Sequence, residues 1–292
     1  MSKKITIDKL EFYITNVCNL TCSGCNRYNN YKFTGWQDYK DYADVIQQWS
    51  EKININKPFI LGGEPLLNPS INQWIEGIRS AWPTSYTPEV ISNGTRIDLV
   101  EGLYESCRKT NAWINISLHR DSDREPIFTR VRNFLTHPIS EGTDLRTDMD
   151  SDYQFIDCNK VQVHVWNTTD FLQSNIIERS DGTQTLYNSD PEKAHACCPN
   201  VLHKNYHFIR GKIYKCGPVA LMPEFDEQYP LDITDEDRVL LHAGRGLSVE
   251  EFDEHGEEFF ANIDNPIPQC KFCPESFEWH RIEFTTLKPN KI

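Results

Sequence analysis

The chain has 292 residues, a net charge of −13, ten cysteines and 12% aromatic residues. That length exceeds one minimal domain, and the aromatic content with moderate charge excludes a disordered chain. The acidic balance is spread along the sequence, which excludes a large phosphate-binding surface, so nucleic acid is not an expected partner. No apolar run approaches the roughly 20 residues needed to cross a bilayer, and the start MSKKITIDKLEF lacks an apolar stretch and a cleavage site. The expectation is a cytoplasmic protein with no membrane contact. Cysteines in that reducing compartment are better metal ligands than disulfide partners.

In chain order, hydrophobic periodicity predicts strands at Leu10–Asn16, Pro58–Leu61, Glu89–Ser92, Trp113–His119 and Val161–Asn167. Helices are predicted between them at Asp38–Ile53, Ile71–Trp82 and Leu99–Thr110. Asn68-Pro69-Ser70 opens the second of these, and Asp98 is the expected cap of the third. Strand–helix alternation implies parallel strands with right-handed crossovers, in a full or partial barrel or a doubly wound sheet. Three strands favour a barrel with a polar lumen. Leu10, Phe12 and Ile14 alternate with Glu11, Tyr13 and Thr15; Ile114, Ile116 and Leu118 with Asn115, Ser117 and His119; and Val161, Val163 and Val165 with Gln162, His164 and Trp166. A parallel sheet covered on both faces is ordinarily apolar throughout, so the polar face implies either a cavity or a solvated surface.

Beyond about residue 180 the alternation stops. The stretch RSDGTQTLYNSDPEKAHACCPN is loop-like, YHFIRGKIYKC reads as a hairpin turning at Arg210-Gly211, and a helix is predicted over Ser248–Asn262. The expected organisation is therefore a barrel unit over residues 1–180 and a smaller unit over 181–292.

The segment NVCNLTCSGCN places Cys18, Cys22 and Cys25 directly after the first strand. Closely spaced thiolates bind zinc or iron–sulfur centres, and three of them leave a fourth coordination position open. In FILGGEPLLNP, Gly62, Gly63 and Glu64 end the second strand, where glycines admit a ligand close to the backbone and the carbonyls and carboxylate can accept from an ammonium.

CNLTCSGC followed by GGEPLL and ISNGT resembles the radical S-adenosylmethionine superfamily over roughly residues 8–170. The resemblance implies a partial (β/α)6 TIM-like barrel with chemistry at the C-terminal strand ends. It also implies a [4Fe–4S] cluster held by Cys18, Cys22 and Cys25, whose open iron chelates S-adenosylmethionine, and a flavodoxin- or ferredoxin-type electron donor. Gly62, Gly63 and Glu64 match the motif for the cofactor's amino group, and Ser92, Asn93 and Ser117 the positions that contact its methionine or ribose. The position before the third cysteine, often aromatic in the family, is Gly24 here, leaving Tyr28 to stack on the adenine. The family's glycine-containing adenine motif is not visible around Val161–Asn167.

Five cysteines follow the barrel: Cys197, Cys198, Cys216, Cys270 and Cys273. Their arrangement around the hairpin and CKFC resembles the SPASM/twitch domains appended to radical S-adenosylmethionine barrels. The cysteines of a second auxiliary cluster are missing, so the shorter twitch form with one auxiliary [4Fe–4S] cluster is implied. Its ligand set is Cys198, Cys216, Cys270 and Cys273, with Cys197 as the alternate to Cys198. Four thiolates satisfy zinc equally, with His195, His203 and His207 nearby. Cys107 and Cys158 read as packing residues.

The function implied is reductive cleavage of S-adenosylmethionine, with the 5′-deoxyadenosyl radical abstracting hydrogen from a substrate and net oxidation through the auxiliary cluster. The alternatives are a peptide-modifying maturase, a redox-neutral epimerase and a non-catalytic iron–sulfur or zinc protein. The short segment before the first strand and the acidic balance favour a small polar metabolite. Its expected contacts are the lumen residues Glu11, Tyr13, Asn115, His119, Gln162, His164 and Trp166.

Overall fold

A computed structural model describes residues 4–31, 33–135, 139–141 and 153–284. Its strands are β1 (Ile5–Tyr13), β2 (Ile53–Leu61), β3 (Glu89–Ser92), β4 (Trp113–Leu118), β5 (Ile139–Glu141), β6 (Tyr153–Asp157), β7 (Gln162–Asn167), β8 (Asp170–Leu172), β9 (Ile176–Glu178), β10 (Gln184–Leu186), β11 (Asn205–Ile209), β12 (Lys212–Tyr214) and β13 (Trp279–Arg281). The helices are α1 (Ala43–Lys52), α2 (Ile71–Ala81), α3 (Leu103–Thr110), α4 (Arg124–Phe134), α5 (Pro191–Ala196), α6 (Pro199–Leu202), α7 (Gly217–Gln228), α8 (Asp235–His242) and α9 (Phe252–Ala261).

Among the described residues, nine strands form one sheet in the order β12-β11-β1-β2-β3-β4-β7-β6-β5. The stretch from β11 to β7 is parallel throughout, and β12, β6 and β5 are antiparallel edges. The fold is thus mixed α/β around a mostly parallel central sheet. Branched and aromatic side chains on one face of each strand pack under α1 and α2. Phe12 of β1 meets Trp74, Trp82 and Phe208 at ring-centroid distances of 6.3, 5.8 and 5.3 Å. Ile60, Val90, Ile114, Ile116 and Val163 continue that layer, all fully buried. Each such side chain contributes about 1.5–3 kcal/mol by leaving water.

Several expectations are corrected. The strand next to β1 on the side away from β2 is β11, from the expected hairpin. Local periodicity recognises the hairpin but carries no information about a partner so distant in sequence. The sheet is therefore continuous across position 180. α1 starts at Ala43 because Asp38 caps a preceding 3-10 turn, accepting from Lys40 N at 3.3 Å. Asp98 does not cap α3; it accepts from Arg130 at 2.6 Å and Asn133 at 3.2 Å, and the cap is Gly102 at φ 75°. Cys107 is buried in the core, whereas Cys158 is exposed in the turn after β6. Gly211 and Arg210 both take positive φ, as the two-residue turn between β11 and β12 requires.

A second apolar cluster joins Tyr13, Tyr28 and Tyr31 to Ile209, Met222, Phe225 and Phe272. It packs the segment after β1 against α7 and the C-terminal cysteine segment. No helix among the described residues is long and apolar enough to cross a membrane.

Candidate functional site

A cavity of about 360 Å³ opens at the carboxyl ends of β1 to β4. Cys18, Cys22 and Cys25 line it from the loop after β1, Gly62 and Gly63 from the end of β2, Ser92 and Asn93 from the end of β3, and Ser117 and His119 from β4 and just beyond. The cysteine loop is shaped by its own polar groups. Val17 N donates to Thr15 Oγ1 at 3.1 Å, Asn29 Nδ2 to Asn16 O at 2.7 Å, and Leu20 N to Cys18 Sγ at 3.4 Å.

Gly62 and Gly63 run beside that loop, with Gly63 N donating to Thr15 O and Glu64 N to Val17 O, both at 2.8 Å. A Cβ at Gly62 would stand 2.6 Å from Thr15 O, and one at Gly63 2.3 Å from Val17 O. Backbone occupies the space that a side chain would need, so the two glycines fit the cysteine loop against β2 as well as facing the cavity.

Glu64 does not line the cavity. Its carboxylate accepts from Leu66 N at 3.0 Å, Ser92 Oγ at 2.8 Å and Asn93 N at 2.7 Å. It ties the end of β2 to the end of β3, and full burial pushes its carboxyl up to about 7 against those three donors. Asn93 in turn donates to Asn19 Oδ1 at 2.8 Å, linking β3 to the cysteine loop. Asn19 was not singled out from the sequence.

Tyr28 is also placed elsewhere. Its ring lies 5.1 Å from Phe225 and its hydroxyl donates to Asn175 Oδ1 at 2.9 Å, inside the second apolar cluster. Apolar partners from α7 claim the ring, so it is not free to stack on a ligand in the cavity.

Of the seven expected lumen residues, Glu11 and His119 line the cavity. Tyr13 is buried in the second apolar cluster. The other four do not line it, and protein side chains are their partners. Asn115 donates to Glu89, His164 stacks on Trp113 at 4.8 Å, Gln162 pairs with Gln154 at 3.0 Å, and Trp166 lies 6.5 Å from His164.

Sequence reasoning missed Arg27, two positions after Cys25. Its guanidinium donates to Glu11, and Glu11 also accepts from Asn205 Nδ2 at 3.0 Å and lies 3.1 Å from His207 Nδ1. Burial would raise the Glu11 pKa, but the His207 imidazole and Arg27 guanidinium prevail and hold it at about 2. Burial conversely lowers the His207 pKa. This network fastens the cysteine loop to the floor of the sheet, across β1 and β11.

Its stability contribution has a defined pH window. A carboxylate depressed from 4.5 to about 2 stabilises the folded chain fully above pH 4.5, and that contribution fades as pH falls towards 2. Glu11→Gln is expected to flatten the acid limb of a urea-denaturation series between those pH values. It should also destabilise the chain at pH 7 by about 3–5 kcal/mol, because Arg27 is left buried without its counter-charge. An unchanged acid limb would show that Glu11 does not carry this term.

A second cavity, of about 380 Å³, is lined by Cys198, Cys216, Cys270 and Cys273. Cys198 and Cys216 are the residues preceding α6 and α7, each followed within two positions by a proline in the first turn of the helix. Burial pushes the Cys216 thiol up to about 12, as it does Cys18 and Cys22. Cys197 does not face this cavity; its thiol points to Ala194 O at 3.4 Å and Pro274 O at 3.7 Å. His195 is 3.3 Å from Ile263 O, and His207 belongs to the Glu11 network. No three His, Cys, Asp or Glu side chains among the described residues gather closely enough to hold a single ion. The two cavities adjoin, sharing Cys25, Asn26 and Phe171.

Residues 12–141 match the family model described as the Radical SAM superfamily. That family implies a [4Fe–4S] cluster and S-adenosylmethionine, and the three thiols beside the strand ends fit such a group by donor chemistry and by sharing one cavity. Among solved structures, the chain is similar to Streptococcus suis SuiB bound to S-adenosylmethionine, with 18% identity and a TM-score of 0.34 over 42% of this chain and 27% of that one. It is similar to BtrN in complex with AdoMet and 2-DOIA, with 16% identity and a TM-score of 0.44 over 93% and 85% of the two chains. It is also similar to native anSMEcpe with bound AdoMet, with 13% identity and a TM-score of 0.34 over 44% and 40%. The chain thus spans about a quarter of the SuiB length. No curated protein matches it.

Proposed function

We propose that the chain is a radical S-adenosylmethionine enzyme with two iron–sulfur clusters, acting by net oxidation on a small polar metabolite. Cys18, Cys22 and Cys25 would hold the first cluster, with Gly62, Gly63, Ser92, Asn93 and Ser117 forming the wall for S-adenosylmethionine. Cys198, Cys216, Cys270 and Cys273 would hold the second. The carrying observation is that three thiols and three strand ends share one cavity while four more thiols line another with a common wall. When bound, these groups supply a 5′-deoxyadenosyl radical that takes a hydrogen atom from the substrate and an acceptor for the electron that follows.

The chain's own residues supply the rest. The proton lost with that electron needs an acceptor, and on this reading His119, which lines the cavity, takes it. Burial lowers its pKa, so it is neutral at pH 7, and its Nδ1 sits 2.9 Å from Thr168 O, which leaves Nε2 as the lone-pair nitrogen. Lys9, Asn26, Arg27 and Asn205 put polar groups on the cavity wall beside its apolar lining, and these are the groups that would hold a small polar metabolite. A redox-neutral outcome would need a thiol to return hydrogen, and neither Cys107 nor Cys158 lines the cavity. Four thiols around one cavity are a sufficient donor set for a [4Fe–4S] cluster. On this reading residues 1–180 and the twitch-like residues 181–292 divide radical formation from electron acceptance, and a flavodoxin- or ferredoxin-type protein delivers the first electron.

The test is anaerobic reconstitution of the full chain, followed by S-adenosylmethionine and dithionite. Release of 5′-deoxyadenosine is the expected result, and a reconstituted chain that releases none overturns the reading.

A further inference from the structure

The loop that carries Cys18, Cys22 and Cys25 is held from outside by residues 279–284. Strand β13 pairs antiparallel with β8, setting His280 opposite Phe171, and Ile282 N donates to Thr169 O at 2.9 Å. The same segment then crosses to the cysteine loop. Cys22 and Phe284 form an antiparallel bridge, Ser23 N donates to Glu283 O at 2.7 Å, and Glu283 N donates to Ser23 Oγ at 2.8 Å. Arg120, from the loop after β4, lies over the Phe284 ring at 4.2 Å.

Gly24 sits between these ties at φ +69°, in the left-handed region. A Cβ on it would stand 2.2 Å from His280 Nε2. The imidazole therefore occupies the volume that any side chain at position 24 would take, one residue before Cys25. Seven positions before His280 stands Cys273, on the wall of the second cavity. One short segment thus contributes a thiol to one cysteine set and a contact to the loop of the other.

We propose that His280 is a positioning residue of the radical-forming site, and that through it the second cysteine set fixes the loop of the first. This rests on the assignment of Cys18, Cys22 and Cys25 to the S-adenosylmethionine-binding cluster. His280 shapes the loop without touching the cluster or its ligand. An occupied second site orders Cys270 and Cys273, which orders β13, which in turn orders the loop.

The experiment uses the full chain, reconstituted anaerobically, as wild type, His280→Ala, His280→Asn, Gly24→Ala, the His280→Ala/Gly24→Ala double variant and Cys273→Ala. Two quantities are read. One is the change that S-adenosylmethionine causes in the electron paramagnetic resonance signal of the reduced protein. The other is the rate at which a chelator strips iron from the cluster that gives that response, with the unresponsive signal as an internal control. His280→Ala and Gly24→Ala should each speed loss of the responsive iron by about 10- to 100-fold, the range typical of residues that orient metal ligands. The double variant should be no worse than Gly24→Ala alone, because removing the imidazole relieves the clash that the added Cβ makes. His280→Asn, which keeps a planar polar group, should retain most of the wild-type behaviour. Cys273→Ala should speed loss of the responsive iron although its own thiol belongs to the other set.

A double variant worse than Gly24→Ala alone, or a responsive cluster indifferent to His280→Ala or to Cys273→Ala, would overturn the proposal while leaving the cluster assignment intact. A wild type without any S-adenosylmethionine-responsive signal would overturn that assignment, and the proposal with it.

Discussion

Alanine at Cys18, Cys22 or Cys25 is expected to lower 5′-deoxyadenosine formation by roughly 10³-fold or more, the scale of removing a member of a unit that acts together. Each of the three thiols lines the same cavity as Gly62, Gly63, Ser92 and Asn93. No spare thiol stands ready to replace a lost one: Cys107 is buried in the helix layer, and Cys158 is exposed in a turn after β6. The effect should be equal at the three positions, because a cluster with two protein ligands is not retained. Burial keeps these thiols protonated when no metal is present, with Cys18 and Cys22 pushed up to about 12, so loading releases protons and should weaken as pH falls. Full 5′-deoxyadenosine yield from any of the three variants would refute the site.

Cysteine 198 offers the second large effect, and its neighbour the control. The reconstituted wild type should hold about eight irons per chain, the sum of two cubane clusters. Cys198→Ala is expected to bring this to about four, the loss of one such cluster, because Cys198 lines the cavity with Cys216, Cys270 and Cys273. Cys197→Ala should leave the count unchanged, since that thiol points at the carbonyls of Ala194 and Pro274. Loss of iron from Cys197→Ala instead would reverse the ligand choice. A wild type with about four irons and one zinc would make the second set a zinc site.

The sequence carried the chemistry better than the architecture. Thiol spacing and the strand-end glycines are local features, so Cys18, Cys22, Cys25, Gly62 and Gly63 could be named together, and the structure sets them around one cavity. β3 begins at Glu89 and ends at Ser92 as its pattern predicts, because an apolar run flanked by turn residues leaves little choice of bounds. What escaped depends on partners far along the chain. Arg27 looks like any loop arginine until β1 and β11 bring Glu11 and His207 to it. Glu64 reads as a ligand group until three donors from the ends of β2 and β3 claim its carboxylate. Alternation placed Asn115 and His164 on the polar face, but it could not tell that Glu89 and Trp113 would take them as partners. Nor could it show that Gly24 is vacant because His280 takes its place.

The position of β11 has a consequence for how the chain is made. β1 meets β2 within about fifty residues of synthesis, an early and local pairing in the sense that favours fast folding. Its other edge pairs with β11, where Lys9 stands opposite Asn205, 196 positions later. Until that strand leaves the ribosome, β1 is an open edge carrying unpaired backbone groups and an apolar face, the kind of edge that recruits other chains. A fragment ending near residue 180 would keep that edge permanently. It is therefore a poor candidate for expression as a separate module, and the nascent chain must either delay sheet closure or shelter β1 until its late partner arrives.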